Sequence, residues 1–160
     1  MDKKNLAIIE DAKNMANIAV WSVELQLKRL MSGKHEIEEF VMQPVVDFHF
    51  LIVALTRLRQ AASLMSAVSD LSKAISDFDA SLPNLRTVRN ILEHIDEYRV
   101  GEGKNKSVPS SSFQTIEFND QNITWVGYEI NLEHAKSASS ELFLEIKESH
   151  NKALHLTNCK

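Results

Sequence analysis

Six consecutive residues, Arg89-Asn90-Ile91-Leu92-Glu93-His94, bring together side chains suited to phosphate-ester chemistry. A histidine that titrates near neutral pH can take or give a proton. An arginine nearby binds phosphate oxygens and stabilises charge developing on them. Asn90 can orient His94 or a phosphate oxygen by hydrogen bonding. The other chemistry-bearing residues are less organised. His35, His49, His94, His134, His150 and His155 form neither an H-E-x-x-H nor an H-x-x-x-H pair, and Cys159 has no cysteine partner, so no metal site is expected. Glu93-His94 and Glu133-His134 repeat a dipeptide, but adjacent helical residues point about 100° apart. No G-x-S-x-G elbow is present. Gly101-Glu102-Gly103-Lys104 resembles half a phosphate loop but follows a helix, which makes it a C-cap and turn.

The elements that must position these residues are mainly helical. With 4 Gly and 3 Pro in 160 residues, long helices are expected. Leu6, Ile9, Met15, Ile18, Val23, Leu27 and Leu30 mark the apolar stripe of a first helix from about Lys4 to Met31, with Gly33 as its stop. Pro44 opens a second helix whose buried face is Phe48, Leu51, Leu55, Leu58, Ala62 and Met65, with Arg57, Arg59 and Gln60 outside or at a rim. Ser69 and Asp70 cap a weaker helical piece containing Leu71, Ile75 and Phe78. Pro83 begins a third long helix, Asn84 to about Arg99, with core positions Leu85, Val88, Leu92 and Ile95 and with Ile91 at the edge of that arc. Arg86, Asn90 and His94 form a separate i, i+4, i+8 stripe. Phe113–Phe118 and Ile123–Ile130 read as a β-hairpin around a polar Asn119–Asn122 turn, and Asn131 caps the last helix. The expected fold is a single domain over residues 1–160, mostly α: an up-and-down bundle of about four long helices with a hairpin inserted before the last.

On the Arg89–His94 segment the chain resembles the HEPN (higher eukaryote and prokaryote nucleotide-binding) superfamily, whose motif is R-[N/D/H]-x-x-x-H on a late helix of a bundle. In a chain with six arginines and six histidines, that pattern arises by chance roughly 0.03 times. The resemblance implies a metal-independent endoribonuclease without a cofactor, often the toxin of a toxin–antitoxin or phage-defence system. Arg89, Asn90 and His94 would then be catalytic, with Arg86, Glu93 and Tyr98 as binding residues. It further implies a homodimer in which the polar stripe meets its copy across a two-fold axis, an RNA substrate that leaves a 2′,3′-cyclic phosphate, and a cognate antitoxin protein as partner. One toxin branch extends the motif to R-x-x-x-x-H-x-Y. Asp96 stands at that tyrosine position here and Tyr98 follows two residues later, so tyrosine modification is not carried over.

Charge bounds these expectations. Lys plus Arg number 18 against 22 Asp plus Glu, a net charge of −4, so RNA would be held by local arginines rather than by bulk charge. Glu93, Asp96, Glu97 and Glu102 crowd the motif. That leaves open a second reading, a non-catalytic dimeric helical interaction or scaffold protein. The charged start Met1-Asp2-Lys3-Lys4 is unlike a signal peptide, and the apolar run Phe48–Leu55 is too short for a membrane span. A cytoplasmic protein without membrane contact is expected.

Overall fold

The computed structural model describes residues 2–32, 42–119 and 121–158. Gly33 as a helix stop, His35 and Cys159 therefore lie outside the described residues. Helix α1 (Lys3–Ser32) is followed by α2 (Gln43–Met65), with Pro44 in its first turn where no amide hydrogen is missed. The α2 face read from the sequence is buried throughout. On α1 the buried row is Ile9, Ala12, Ala16, Ala19, Val23 and Leu27, and Ile18 is 72% exposed instead of joining it. Three alanines let α2 approach closely along that row, and the bulkier Ile18 is left on a second, outward stripe.

Helix α3 (Ser72–Ser81) has Leu71 at its N-cap with no side-chain cap bond, so the cap expected at Ser69–Asp70 falls one residue early; Asp70 instead accepts the Ser72 amide at 2.9 Å in the turn that leads in. The third long helix is two pieces, α4 (Leu85–Glu93) and α5 (Ile95–Arg99), hinged at His94, whose backbone (φ −118°, ψ 30°) leaves the helical region. Leu85 and Val88 are buried as expected. Ile91, placed at the edge of the arc, is 1% exposed and is the deeper residue, with Leu92 and Ile95 half-buried. The arc is thus rotated towards Ile91, which has no part left to offer an interface.

Gly101 (φ 80°) ends α5 in a Schellman turn: the Glu102 amide donates to the Glu97 carbonyl at 2.8 Å and the Gly101 amide to that of Tyr98 at 3.1 Å. The residues read as a hairpin form a three-stranded antiparallel meander, β1 (Ile116–Asn119), β2 (Asn122–Trp125) and β3 (Tyr128–Asn131), preceded by a 3₁₀ turn, Ser110–Gln114. The continuous strand expected over Ile123–Ile130 is broken by a two-residue turn, Val126 (φ 49°) and Gly127 (φ 83°). Such turns need positive φ at both positions, which a β-branched valine rarely supplies, so the sequence signal was weak. Asn131 closes β3 and caps α6 (Leu132–Asn158): its Oδ1 accepts the His134 amide at 2.8 Å, as read from the sequence.

The meander packs its inward face, Ile123, Trp125 and Ile130, onto the bundle. The Trp125 ring meets Phe48 and His49 of α2 and Phe113 of the 3₁₀ turn at centroid distances of 6.4, 5.3 and 5.8 Å. Helix α6 lies against both α1 and α2, and His150 on its buried side places Nε2 2.9 Å from the Glu10 carboxylate of α1. Near the α1–α2 connection, buried Asp47 is held by Arg29 at 3.4 Å and Gln43 at 3.3 Å.

Two glycines in the loop after α5 fail for different reasons when changed. A Cβ on Gly101 meets open space, so Gly101→Ala suffers only its left-handed backbone, about 1 kcal/mol. A Cβ on Gly103 would overlap the Tyr98 ring, and Gly103→Ala is expected to cost about 2–3 kcal/mol. Urea unfolding of the two variants should give that order; equal losses would mean that the ring moves aside freely.

Candidate functional site

Helix α4 is strongly amphipathic. Leu85, Val88 and Ile91 sit inside, while Arg86, Asn90 and Glu93 are exposed and Arg89 is half-buried. Its outer flank runs beside α2, and the two helices leave a groove made of adjoining cavities of about 310 and 150 Å³ that share Thr56, Gln60 and Arg89. Arg57 and Arg59 from α2 and Arg86 and Arg89 from α4 all line it. Four of the chain's six arginines therefore converge here from two separate stretches of sequence.

Their charges are not equally available. Arg59 donates through Nε and Nη2 to both oxygens of Asp79, each at 2.6 Å, a two-point tie from α2 to α3. That partner raises the Arg59 pKa further above its usual value and keeps the carboxylate occupied. Arg89 donates through Nε and Nη2 to Glu93 Oε1 at 3.0 and 2.6 Å. Among the described residues Arg57 bonds only the neutral Gln60 amide, at 3.0 Å, and Arg86 has no ion-pair partner. The groove is therefore net cationic, with Arg57 and Arg86 carrying the uncompensated charge.

His94 lies at the α4–α5 hinge, exposed, with Nδ1 2.9 Å from Glu97 Oε1. A carboxylate only accepts, so that bond places the proton on Nδ1 and leaves Nε2 as the basic nitrogen. A carboxylate holding a histidine this way fixes ring orientation and tautomer, the arrangement general bases use. Asn90 stands one turn before His94, and the His94 amide donates to its carbonyl at 3.3 Å.

The structure thus groups Arg86, Arg89 and Glu93 at the groove, and Asn90 with His94 on the adjoining exposed face. The His94 ring turns towards Glu97 and does not line the groove. Tyr98, expected among the binding residues, is elsewhere: it is 7% exposed, its ring lies 6.1 Å from Phe113, and its hydroxyl accepts the Asn105 amide at 3.2 Å. One turn beyond the hinge, α5 points that side chain into the core, where it holds the loop after Gly101. Sequence reasoning missed Glu97 as the histidine's partner; the signal was its i, i+3 spacing from His94. It also left the α2 arginines as rim residues, because their distance from α4 is a tertiary fact.

No group of three metal-ligating side chains occurs among the described residues, and none of their helices is long and apolar enough to cross a membrane. No family model, curated protein or solved structure matches the chain.

One histidine outside the site gives the fold a pH dependence. His49 packs against Trp125, its Nε2 is buried without a hydrogen-bond partner among the described residues, and burial holds its pKa below the usual 6.5. The folded state favours the neutral ring, so the unfolded chain binds more protons as pH falls below about 6.5. That contribution to stability is complete above pH 6.5 and is lost as pH drops through the folded value. His49→Phe should flatten the decline in urea midpoint between about pH 7 and 5; an unchanged slope would assign the decline to other groups.

Proposed function

We propose that this chain is a metal-independent endoribonuclease of the HEPN type, cytoplasmic, acting as a homodimer on RNA. The observation that carries the reading is the His94–Glu97 pair, a carboxylate-oriented histidine with Nε2 free, on the same short helical segment as a groove lined by four arginines. Nε2 of His94 takes the proton of a ribose 2′-hydroxyl, and the 2′-oxygen attacks the adjacent phosphorus. Arg89 stabilises the charge that grows on the non-bridging oxygens, and Asn90 hydrogen-bonds a phosphate oxygen. Arg57 and Arg86 hold flanking phosphates in the groove. A second His94, from the other copy, protonates the departing 5′-oxygen. The products are a 2′,3′-cyclic phosphate and a 5′-hydroxyl. A ribonuclease of this kind in a host cell needs restraint, so a cognate antitoxin protein belongs to the proposal.

One observation favours the second reading, a non-catalytic interaction module. Arg89 is already committed to Glu93 in the i, i+4 pair that decorates many solvated helices, worth about 0.3–0.5 kcal/mol. Only the N–H groups that Glu93 leaves open, those of Nη1 and the second of Nη2, are offered to a phosphate while that pair holds.

Incubation with total RNA separates the two. His94→Ala should lower cleavage by about 10²–10⁴-fold while changing stability by no more than about 0.5 kcal/mol, because the side chain is exposed. Glu97→Gln should lower the rate less, and a chelator should leave it unchanged. Intact RNA with the wild-type protein, or equal cleavage by His94→Ala, would leave the interaction module as the better reading.

A further inference from the structure

The outward stripe of α1 is the largest feature that the groove leaves unused. Asp11, Asn14, Ile18, Trp21, Leu25 and Lys28 follow one another at alternating three- and four-residue steps, and every one is exposed. Ile18 is 72% and Trp21 70% exposed, well beyond what a solitary surface residue needs. Antiparallel to it on α2 runs a second exposed row, Val46, Phe50, Val53 and Arg57. A cavity of about 390 Å³ lies between the rows, bordered by Ile18, Ser22, Phe50 and Val53. Among the described residues nothing covers this two-helix face.

The spacing of the α1 row is that of a coiled-coil seam, and its composition is self-complementary when reversed. Set two copies of α1 antiparallel about a two-fold axis passing between Ile18 and Trp21. Ile18 then faces Trp21 of the second copy, Asn14 faces Leu25, and acidic Asp11 faces basic Lys28. The last contact occurs twice by symmetry, with opposite charges in register at both ends of an apolar centre. The α2 rows flank the seam, completing a four-helix packing of the kind found in bundle cores. The exposed apolar surface of the two rows comes to roughly 600 Å² per copy, near the roughly 800 Å² per partner of a stable interface.

We propose that this α1–α2 face binds a second copy of the chain, through an antiparallel α1–α1 seam centred on Ile18 and Trp21. The interface is distinct from the α4 stripe anticipated from the sequence, and Val53 and Arg57 join its rim to the arginine groove. It does not depend on cleavage itself: a dimer that leaves RNA intact would sink only the nuclease, and a monomer that cleaves RNA would sink the seam together with the second His94's role, leaving the nuclease reading standing.

Sedimentation equilibrium at tens of micromolar should give twice the 18.1 kDa chain mass. Trp21→Lys should return the mass to a single chain with an unchanged helical circular dichroism spectrum. Asp11→Lys and Lys28→Asp should each weaken association about tenfold, and the double exchange should restore it, since reversed charges still meet in antiparallel register. A monomeric wild type would overturn the proposal, whether the face is bare or covered by residues 33–41 or by another partner. A dimer indifferent to Trp21→Lys, or a double exchange no better than the singles, would do the same.

Discussion

The burial of Trp125 is the contact on which the rest of the arrangement depends. It is the largest fully buried side chain, and it sits on a four-residue strand with little stability of its own. By wedging between Phe48 and His49 of α2 and Phe113 before β1, it fastens the meander to the bundle. The meander then holds the α4–α5 segment from both ends. Asn84, ahead of α4, donates to the Glu129 carbonyl of β3 at 3.0 Å, and Asn105, beyond α5, donates to the Tyr128 hydroxyl at 2.7 Å. The hinge at His94 is thus flanked by two attachments to one small sheet, while α4 itself packs directly on α2.

That geometry explains the electrostatics of the groove. Arginines on facing helices repel one another, and two carboxylates offset that repulsion without filling the space between. Asp79 draws Arg59 towards α3, and Glu93 holds Arg89 along its own helix. What remains is a cationic channel whose free charge belongs to Arg57 and Arg86, in a protein whose net charge is −4. An anion entering the groove can share Arg89 with Glu93, because that pair uses only Nε and one N–H of Nη2. The His94–Glu97 pair stands apart from it, with its carboxylate on the next helix.

The polar and apolar surfaces of α2 adjoin, meeting at Val53 and Arg57. One flank turns Thr56, Arg59 and Gln60 to α4, the other turns Phe50 and Val53 outward beside α1, and Arg57 borders both. A single helix therefore carries the cationic wall of one feature and half of an apolar face. Whatever docks on that face approaches within a side chain's reach of the groove mouth.

Much of this was legible in the sequence because it depends on local spacing. The period of Phe48, Leu51, Leu55 and Leu58 fixes α2 and its buried side, Asn131 marks a cap through its short polar side chain, Asp70 marks the turn into α3, and Gly101 marks a helix end through its backbone freedom. The Arg89–His94 motif could be read for the same reason. The sequence could not say which of two apolar stripes on α1 goes inside, since alanines and bulky residues score alike by period while only close helix approach selects the alanines. Nor could it show that Val126 would accept a positive φ, that α4 would break at His94 and send Tyr98 inward, or that Arg57 and Arg59 would face Arg86 and Arg89. Those outcomes join residues about thirty positions apart or set a backbone angle against its local preference, and packing around Trp125 and the α1–α2 contact decides them.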